Sequence, residues 1–289
     1  MNLALGTVQL GLPYGINNQV GVPGSEEIAK IFEVARLAGI TVIDTAISYG
    51  DAERKIGIYS GGGFDIISKL PPFPGNGYSR EWLQEMVESS LANLKTNQLY
   101  GLLLHQPAQL LSNDGEKLFH DLQKLKNDGK ITKIGISIYD PSELEIITEK
   151  FNLDIVQAPL NILDRRLIES GWLQKLSDAG IEVHTRSVFL QGLLLMDRVK
   201  TYPKFSKWED ILSKYDNWLN ENRLDPIEAC LRFALSVNGI SKVIVGIDNA
   251  AHLKEIIRAC QGPNLQVPRE FSTTDTQLIN PGSWINLTA

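Results

Sequence analysis

Cysteine is almost missing from this chain of 289 residues: there are two, too few for a disulfide framework, so nothing in the composition asks for an oxidising compartment. Cys230 and Cys260 fall on the apolar stripes of expected helices and read as reduced core thiols. Long apolar runs are missing as well. None approaches the ~20 residues that a bilayer-spanning helix needs, and the start MNLALGTVQLG has neither the basic flank nor the apolar stretch of a secretory signal. No membrane association and a cytoplasmic address are therefore expected, and in that setting the triplet NLT at 286–288 reads as a chance match to a glycosylation acceptor. Basic stretches are lacking: 28 Lys and Arg against 34 Asp and Glu give a net charge of -6, spread along the chain, which opposes a nucleic-acid partner. The metal-binding spacings H-x-H and H-E-x-x-H do not occur, and there is no low-complexity linker. With 43% apolar and 21% charged residues, the chain is an ordinary globular protein able to bury a sizeable core.

What is present is alternation. Short runs rich in Val, Ile and Leu recur as LALGTV from 3, TVID from 41, DIISK from 65, LYGLLLH from 99, ITKIGIS from 131, DIVQ from 154, IEVHT from 181 and KVIVG from 242, eight expected strands. Between them apolar residues take helical spacing. Ile28, Ile31, Phe32, Ala35 and Ala38 follow Ser25 and stop at Gly39, and Leu83, Met86, Val87, Leu91 and Leu94 follow Ser79. DPSE at 140–143 and DPIE at 225–228 each join a capping Asp, a Pro in the first helical position and a Glu that closes a capping box. Strands buried on both faces and separated by helices indicate a parallel α/β fold. Eight such units in this length favour one (β/α)8 TIM barrel spanning 1–289 over an open doubly wound sheet. The open sheet should also carry G-x-G-x-x-G after its first strand, where this chain has only Gly6 and Gly11. Two long segments, 9–24 and 188–207, follow strands, and in a barrel such loops lie on the functional face.

Projected onto a barrel, Asp44, Lys69 and His105 arrive at one rim from the ends of strands two, three and four, and Tyr49 joins them from the loop after strand two. Singly each has a plain structural role: a turn cap, a solvated lysine, a core histidine, a packed aromatic. Together they satisfy one another, since the carboxylate holds the ammonium charged and the ammonium favours phenolate character. A free tyrosine has a pKa of about 10 and is a weak acid at neutral pH; a neighbouring cation eases release of its proton, as general acid catalysis requires. The histidine can share the hydrogen bond to a substrate oxygen. Such a set protonates a carbonyl oxygen while a hydride attacks the carbon, and no side chain supplies a hydride, so a cofactor must.

DTAISYGDAE at 44–53 resembles the D-T-A-x-x-Y-G-x-x-E signature of the aldo-keto reductase superfamily, with Asp44 and Tyr49 in its catalytic positions and Lys69 in ISKL and His105 in LLLHQP matching the rest of the family tetrad. GKITKIGIS at 129–137, VQAPLNILDR at 156–165, RSVFLQGLL at 186–194 and VIVGIDNAAHLKEI at 243–256 extend the likeness over nearly the whole chain. The resemblance implies a barrel that binds NADP(H), ahead of NAD(H), in extended form and reduces a small carbonyl substrate, an aldehyde, a ketone or a sugar, with Tyr49 as general acid. It implies that Ser137 and Gln157 hold the nicotinamide carboxamide, that residues 187–192, Ser187, Gln191 and Gly192 among them, lie along the pyrophosphate, and that residues 246–255, with Gly246, Asn249, His252 and Glu255, lie around the adenosine end, with Thr7 a further cofactor contact. Arg186 stands where many members stack a tyrosine on the nicotinamide, and its planar guanidinium can stack in its place. Ile138 replaces an Asn, His252 the arginine that grips the 2'-phosphate in many NADPH-preferring members, and Gly246-Ile247 a Lys-Ser pair. Phosphate recognition gains from a forked cation, so these departures leave the nucleotide preference open, with Lys254 and Arg258 nearby. Tyr14, the PPFPGNGY loop at 71–78, Gln106 and Trp284 are candidate pocket walls. Oligomeric state is not legible. Two alternatives remain: a nucleotide-binding sensor or regulatory subunit of the same fold, and a metal-dependent barrel hydrolase using Asp44, His105 and His184, although His184 falls mid-strand.

Overall fold

A computed structural model describes residues 2–16, 18, 21–75, 77–196 and 203–286. Residues 197–202 of the second long segment, Asn76 of the PPFPGNGY loop and the end of the NLT triplet lie outside them. Strands form at all eight apolar runs: β1 (Leu3–Gly6), β2 (Val42–Asp44), β3 (Asp65–Leu70), β4 (Leu99–Leu104), β5 (Ile131–Ser137), β6 (Ile155–Pro159), β7 (Glu182–Arg186) and β8 (Lys242–Gly246). Every neighbouring pair is parallel, and β1 pairs with both β2 and β8, so the sheet closes into the expected eight-stranded barrel without a free edge. No helix among the described residues is long and apolar enough to cross a membrane.

The helices return the chain to the start of each next strand. Ser25–Leu37 buries Ile28, Ile31, Phe32 and Ala35, the face its 3.6-residue spacing dictates. Arg80–Leu94 begins at Ser79, whose hydroxyl accepts from the Trp82 amide. At DPSE both halves of the capping box form, whereas at DPIE the Asp225 carboxylate accepts from Ile227 and Glu228 with no return bond from Glu228 among the described residues. The main core fills the layer between these helices and the outer face of the strands. Cys230 is buried there and Cys260 half-buried, and burial pushes their thiols up to about 12 and about 11, as inert core thiols should be.

A second, smaller cluster lies inside the barrel: Ala4, Val42, Ile67, Leu103, Ile155 and Ile244, one from each of six strands. Side chains in a strand alternate between faces, so the residues two further on also face the interior, one layer nearer the carboxyl ends. They are Gly6, Asp44, Lys69, His105, Gln157 and Gly246. The strand period thus gathers polar residues at one mouth of the barrel.

Candidate active site

Asp44 and Lys69 anchor that mouth. Lys69 Nζ donates to Asp44 Oδ1 at 2.6 Å and to the Thr45 carbonyl at 2.9 Å, and Gln157 Nε2, from the opposite wall, donates to Asp44 Oδ2 at 2.6 Å. Thr7 fixes the strand end, its amide and hydroxyl both donating to the Asp44 carbonyl. Lys69 is 1% and Asp44 4% exposed. An ammonium taken out of water at that depth costs several kcal/mol unless paired. Burial alone would lower the Lys69 pKa, but the Asp44 carboxylate and then Tyr49 outweigh it, so the ammonium is held above its ordinary range.

Tyr49 stands half-buried above the pair, with the Lys69 ammonium 5.2 Å from its ring centroid. Its backbone is clamped from below: a Cβ at Gly11 would lie 1.8 Å from the Tyr49 carbonyl oxygen, so only glycine lets the loop after β1 pass there. Gly11 therefore seats the tyrosine. His105 meets the Tyr49 ring edge-on, centroids 5.9 Å apart at 76°, and its Nδ1 lies 3.4 Å from Ser48 Oγ. Burial first, then the charges of Lys69 and Arg186, push its imidazole down to about 4, which keeps it neutral at physiological pH.

These groups border a cavity of about 400 Å³, a size that suits a small ligand or part of a larger one. Thr7, Asp44, Tyr49, His105, Ser137, Gln157, Arg186, Ser187, Gln191, Gly192, Gly246 and His252 all line it. Ser137 and Gln157 are register partners on β5 and β6, the hydroxyl donating to the amide oxygen at 3.3 Å. Arg186 donates to the Ile138 carbonyl at 2.9 Å and lies 4.4 Å over the Tyr139 ring. The two long segments meet across the mouth, where Gln191 Nε2 donates to the Tyr14 hydroxyl at 2.8 Å and the Ile16 amide to the Gln191 carbonyl at 3.2 Å. Ser187, Leu190, Gln191 and Gly192 reach that turn through left-handed backbone, a conformation that costs energy for all but the glycine and is retained at sites the surroundings over-determine.

Other expected residues stand elsewhere. Asn249 caps the helix Ala250–Ala259, accepting from the His252 amide, and Glu255 is exposed; neither lines the cavity. Trp284 is buried against Phe205 with its indole N–H on the Leu278 carbonyl, and Gln106 and the described residues of the 71–78 loop are absent from the lining. Of the proposed walls, Tyr14 is the one that faces the cavity. Gln9 and Tyr139 line it without having been singled out, and so does Asp248, from within the expected stretch 246–255 but not named in it. Their signal was available, because each lies within three residues of a strand's carboxyl end. Gln9 Oε1 and Asp248 Oδ1 are buried without a hydrogen-bond partner, so this part of the cavity has acceptors to offer a ligand. His184 sits one layer below the rim, its Nε2 3.4 Å from Glu182, and among the described residues no three His, Cys, Asp or Glu side chains are grouped to hold a metal ion.

Residues 2–271 match the Aldo/keto reductase family model. Among curated proteins, the chain is 25% identical over 196 residues to an uncharacterized oxidoreductase of Bacillus subtilis, covering 65% of this chain and 63% of that protein. It is 29% identical over 153 residues to the human aflatoxin B1 aldehyde reductase member 2, covering 50% and 40%; the alignments thus span under two thirds of either relative. Among solved structures, the holo form of an aldo-keto reductase from Bacillus halodurans superposes with a TM-score of 0.75 at 21% identity, over 93% of this chain and 90% of that one, a likeness of fold.

Proposed function

The chain belongs to the aldo/keto reductase family, and from that premise we propose that it reduces a small aldehyde or ketone to the alcohol with a nicotinamide dinucleotide. The gathering of Asp44, Lys69, Tyr49 and His105 at one end of the cavity carries this reading, and the human relative's name, an aldehyde reductase, favours an aldehyde. The bound dinucleotide supplies the hydride. Tyr49 gives its phenolic proton to the carbonyl oxygen, and takes one back in the direction of oxidation. The Lys69 ammonium, fixed by Asp44, stabilises the negative charge that grows on the phenol oxygen. The neutral His105 donates an N–H to the same substrate oxygen and so orients the carbonyl.

In this reading Ser137 and Gln157 would hold the nicotinamide carboxamide, with Arg186 beside the ring, and Thr7, Ser187, Gln191 and Gly192 would border the middle of the dinucleotide. Gly246 and His252 would hold its adenosine end. The residues fit the group: Gly246 leaves room that a Cβ would close against Gln9, and the unpartnered oxygens of Gln9 and Asp248 are ready acceptors for ribose hydroxyls. A Tyr49→Phe variant should still bind nucleotide, with turnover lower by about 10²–10⁴-fold. Stopped-flow reduction of an aldehyde panel tests this, and turnover equal to the wild type would remove Tyr49 from the reaction.

A further inference from the structure

In the reading above, an adenosine ribose would meet the loop after β8, and there the protein offers negative charge. Asp248, two residues beyond β8, lines the cavity beside Gly246 and His252. Its Oδ1 is buried with no hydrogen-bond partner, while its Oδ2 lies 3.7 Å from His252 Nδ1 and the side chain as a whole is 30% exposed. No lysine or arginine pairs with it among the described residues. Burial raises its pKa and the charge of His252 offsets this only in part.

The start of the helix Ala250–Ala259, which would otherwise be a natural place for a phosphate, is already occupied. The Ala250 amide donates to Glu27 Oε1 at 2.7 Å, and the His252 amide to Asn249 Oδ1 at 2.8 Å. A second carboxylate thus fills the position a phosphate oxygen would take. The cations of that helix, Lys254 and Arg258, are exposed and do not line the cavity. Arg186, at the end of the neighbouring strand β7, also lines it, but its charge acts on His105, Lys69 and Tyr14, whereas the influences on Asp248 are burial and His252.

We propose that Asp248, with Glu27 holding the helix start, makes this site select the nicotinamide dinucleotide whose adenosine ribose has a free 2'-hydroxyl, NADH, over its 2'-phosphorylated form. A ribose diol donates hydrogen bonds to a carboxylate that lacks them, whereas a phosphate has no proton to give and meets like charge. Discrimination therefore comes from repulsion as well as attraction. The inference rests on the reading of the cavity as a dinucleotide site.

Quenching of intrinsic tryptophan fluorescence, titrated with NADH and with NADPH, tests it without turnover. The wild type should bind NADH more tightly by about tenfold or more, the worth of one hydrogen bond to a charged group. Asp248→Asn should bring the two affinities together, chiefly by improving NADPH binding. Equal affinities, or tighter NADPH binding, in the wild type would overturn the assignment while leaving the reductase reading intact. An unchanged ratio in the variant would overturn the role of Asp248, and binding of neither nucleotide would overturn the dinucleotide reading together with it.

Discussion

Two clusters in the barrel each join an acid, a lysine, a tyrosine and a histidine. Asp44, Lys69, His105 and, from the loop after β2, Tyr49 meet at the carboxyl-end mouth; Glu182, Lys133 and Tyr100 meet toward the amino ends, with His184 from mid-strand above them. The geometry is alike too, with Lys133 Nζ 4.8 Å from the Tyr100 ring centroid and Lys69 Nζ 5.2 Å from that of Tyr49. The difference lies in what the tyrosine hydroxyl has left to do. Tyr100 donates to Glu182 at 2.8 Å and accepts from Lys133 at 2.9 Å, while Glu182 also binds Lys133 and lies 3.4 Å from His184. The Tyr49 hydroxyl makes no protein hydrogen bond among the described residues, and its ring borders the cavity. A site is thus distinguished from a structural cluster by an unspent hydrogen-bonding group facing open space, and residue types alone do not separate the two.

Lys69→Met should break the upper cluster in both respects. It strands the Asp44 carboxylate, whose side chain is 6% exposed, at a cost of about 3–5 kcal/mol. It also removes the charge beside the phenol, lowering turnover by about 10²-fold or more. Urea unfolding and stopped-flow reduction on the same preparation should show both losses. If stability alone fell, the ammonium would be structural and the contrast between the clusters would vanish.

Glu182→Gln should affect stability alone. Hydrogen bonding to His184 is the largest influence on the Glu182 carboxyl, and against the opposing effect of burial it joins Lys133 and Tyr100 in lowering the pKa from 4.5 to about 2. The native state therefore prefers the carboxylate more than the unfolded chain does. The resulting stabilisation is complete above pH 4.5 and fades as pH falls toward 2. Its side chain is 28% exposed, and solvent screening reduces the worth of the interaction to about 1–2 kcal/mol. Urea midpoints of the two proteins should differ at pH 7 and converge below about pH 4, with turnover unchanged. A loss of turnover in Glu182→Gln would mean that the lower cluster shapes the upper one through the interior.

The strands and three of the four rim residues, Asp44, Lys69 and His105, were legible because a parallel barrel obeys one simple rule; Tyr49, in the loop after β2, was legible from its motif. Inward residues recur every second position, so Val42 and Asp44, Ile67 and Lys69, and Leu103 and His105 are successive layers of one face. Gly11 was visible but its role was not, since only the close pass of one loop over another shows that a Cβ there would strike the Tyr49 carbonyl. Trp284 and Gln106 were misjudged as walls for the same reason: how a tail or loop packs depends on contacts far away in sequence, such as that of Trp284 with Phe205. Asp248 lay within the stretch 246–255 expected at the adenosine end, but its own part was not legible, because only the folded chain shows that its Oδ1 is buried without a partner. The lower cluster was missed altogether, because Tyr100, Lys133 and Glu182 lie on strands whose spacing in sequence conceals their meeting inside the barrel.

The histidines sharpen the contrast most gently. His105 is held at about 4 against an ordinary 6.5, burial being the main cause and the Lys69 and Arg186 charges the next. The unfolded chain therefore takes up its proton first as pH falls. The stability that a neutral His105 contributes is complete above pH 6.5 and declines between 6.5 and about 4. Following the imidazole protons by NMR should place its midpoint near 4, and across pH 5–8 this group should leave turnover flat. A midpoint near 6.5 would mean that the ring reaches water freely and gains a positive charge within the working range. The imidazole would then be a cation beside Lys69 for part of that range, opposing the ammonium rather than completing a neutral hydrogen-bond donor for the substrate oxygen.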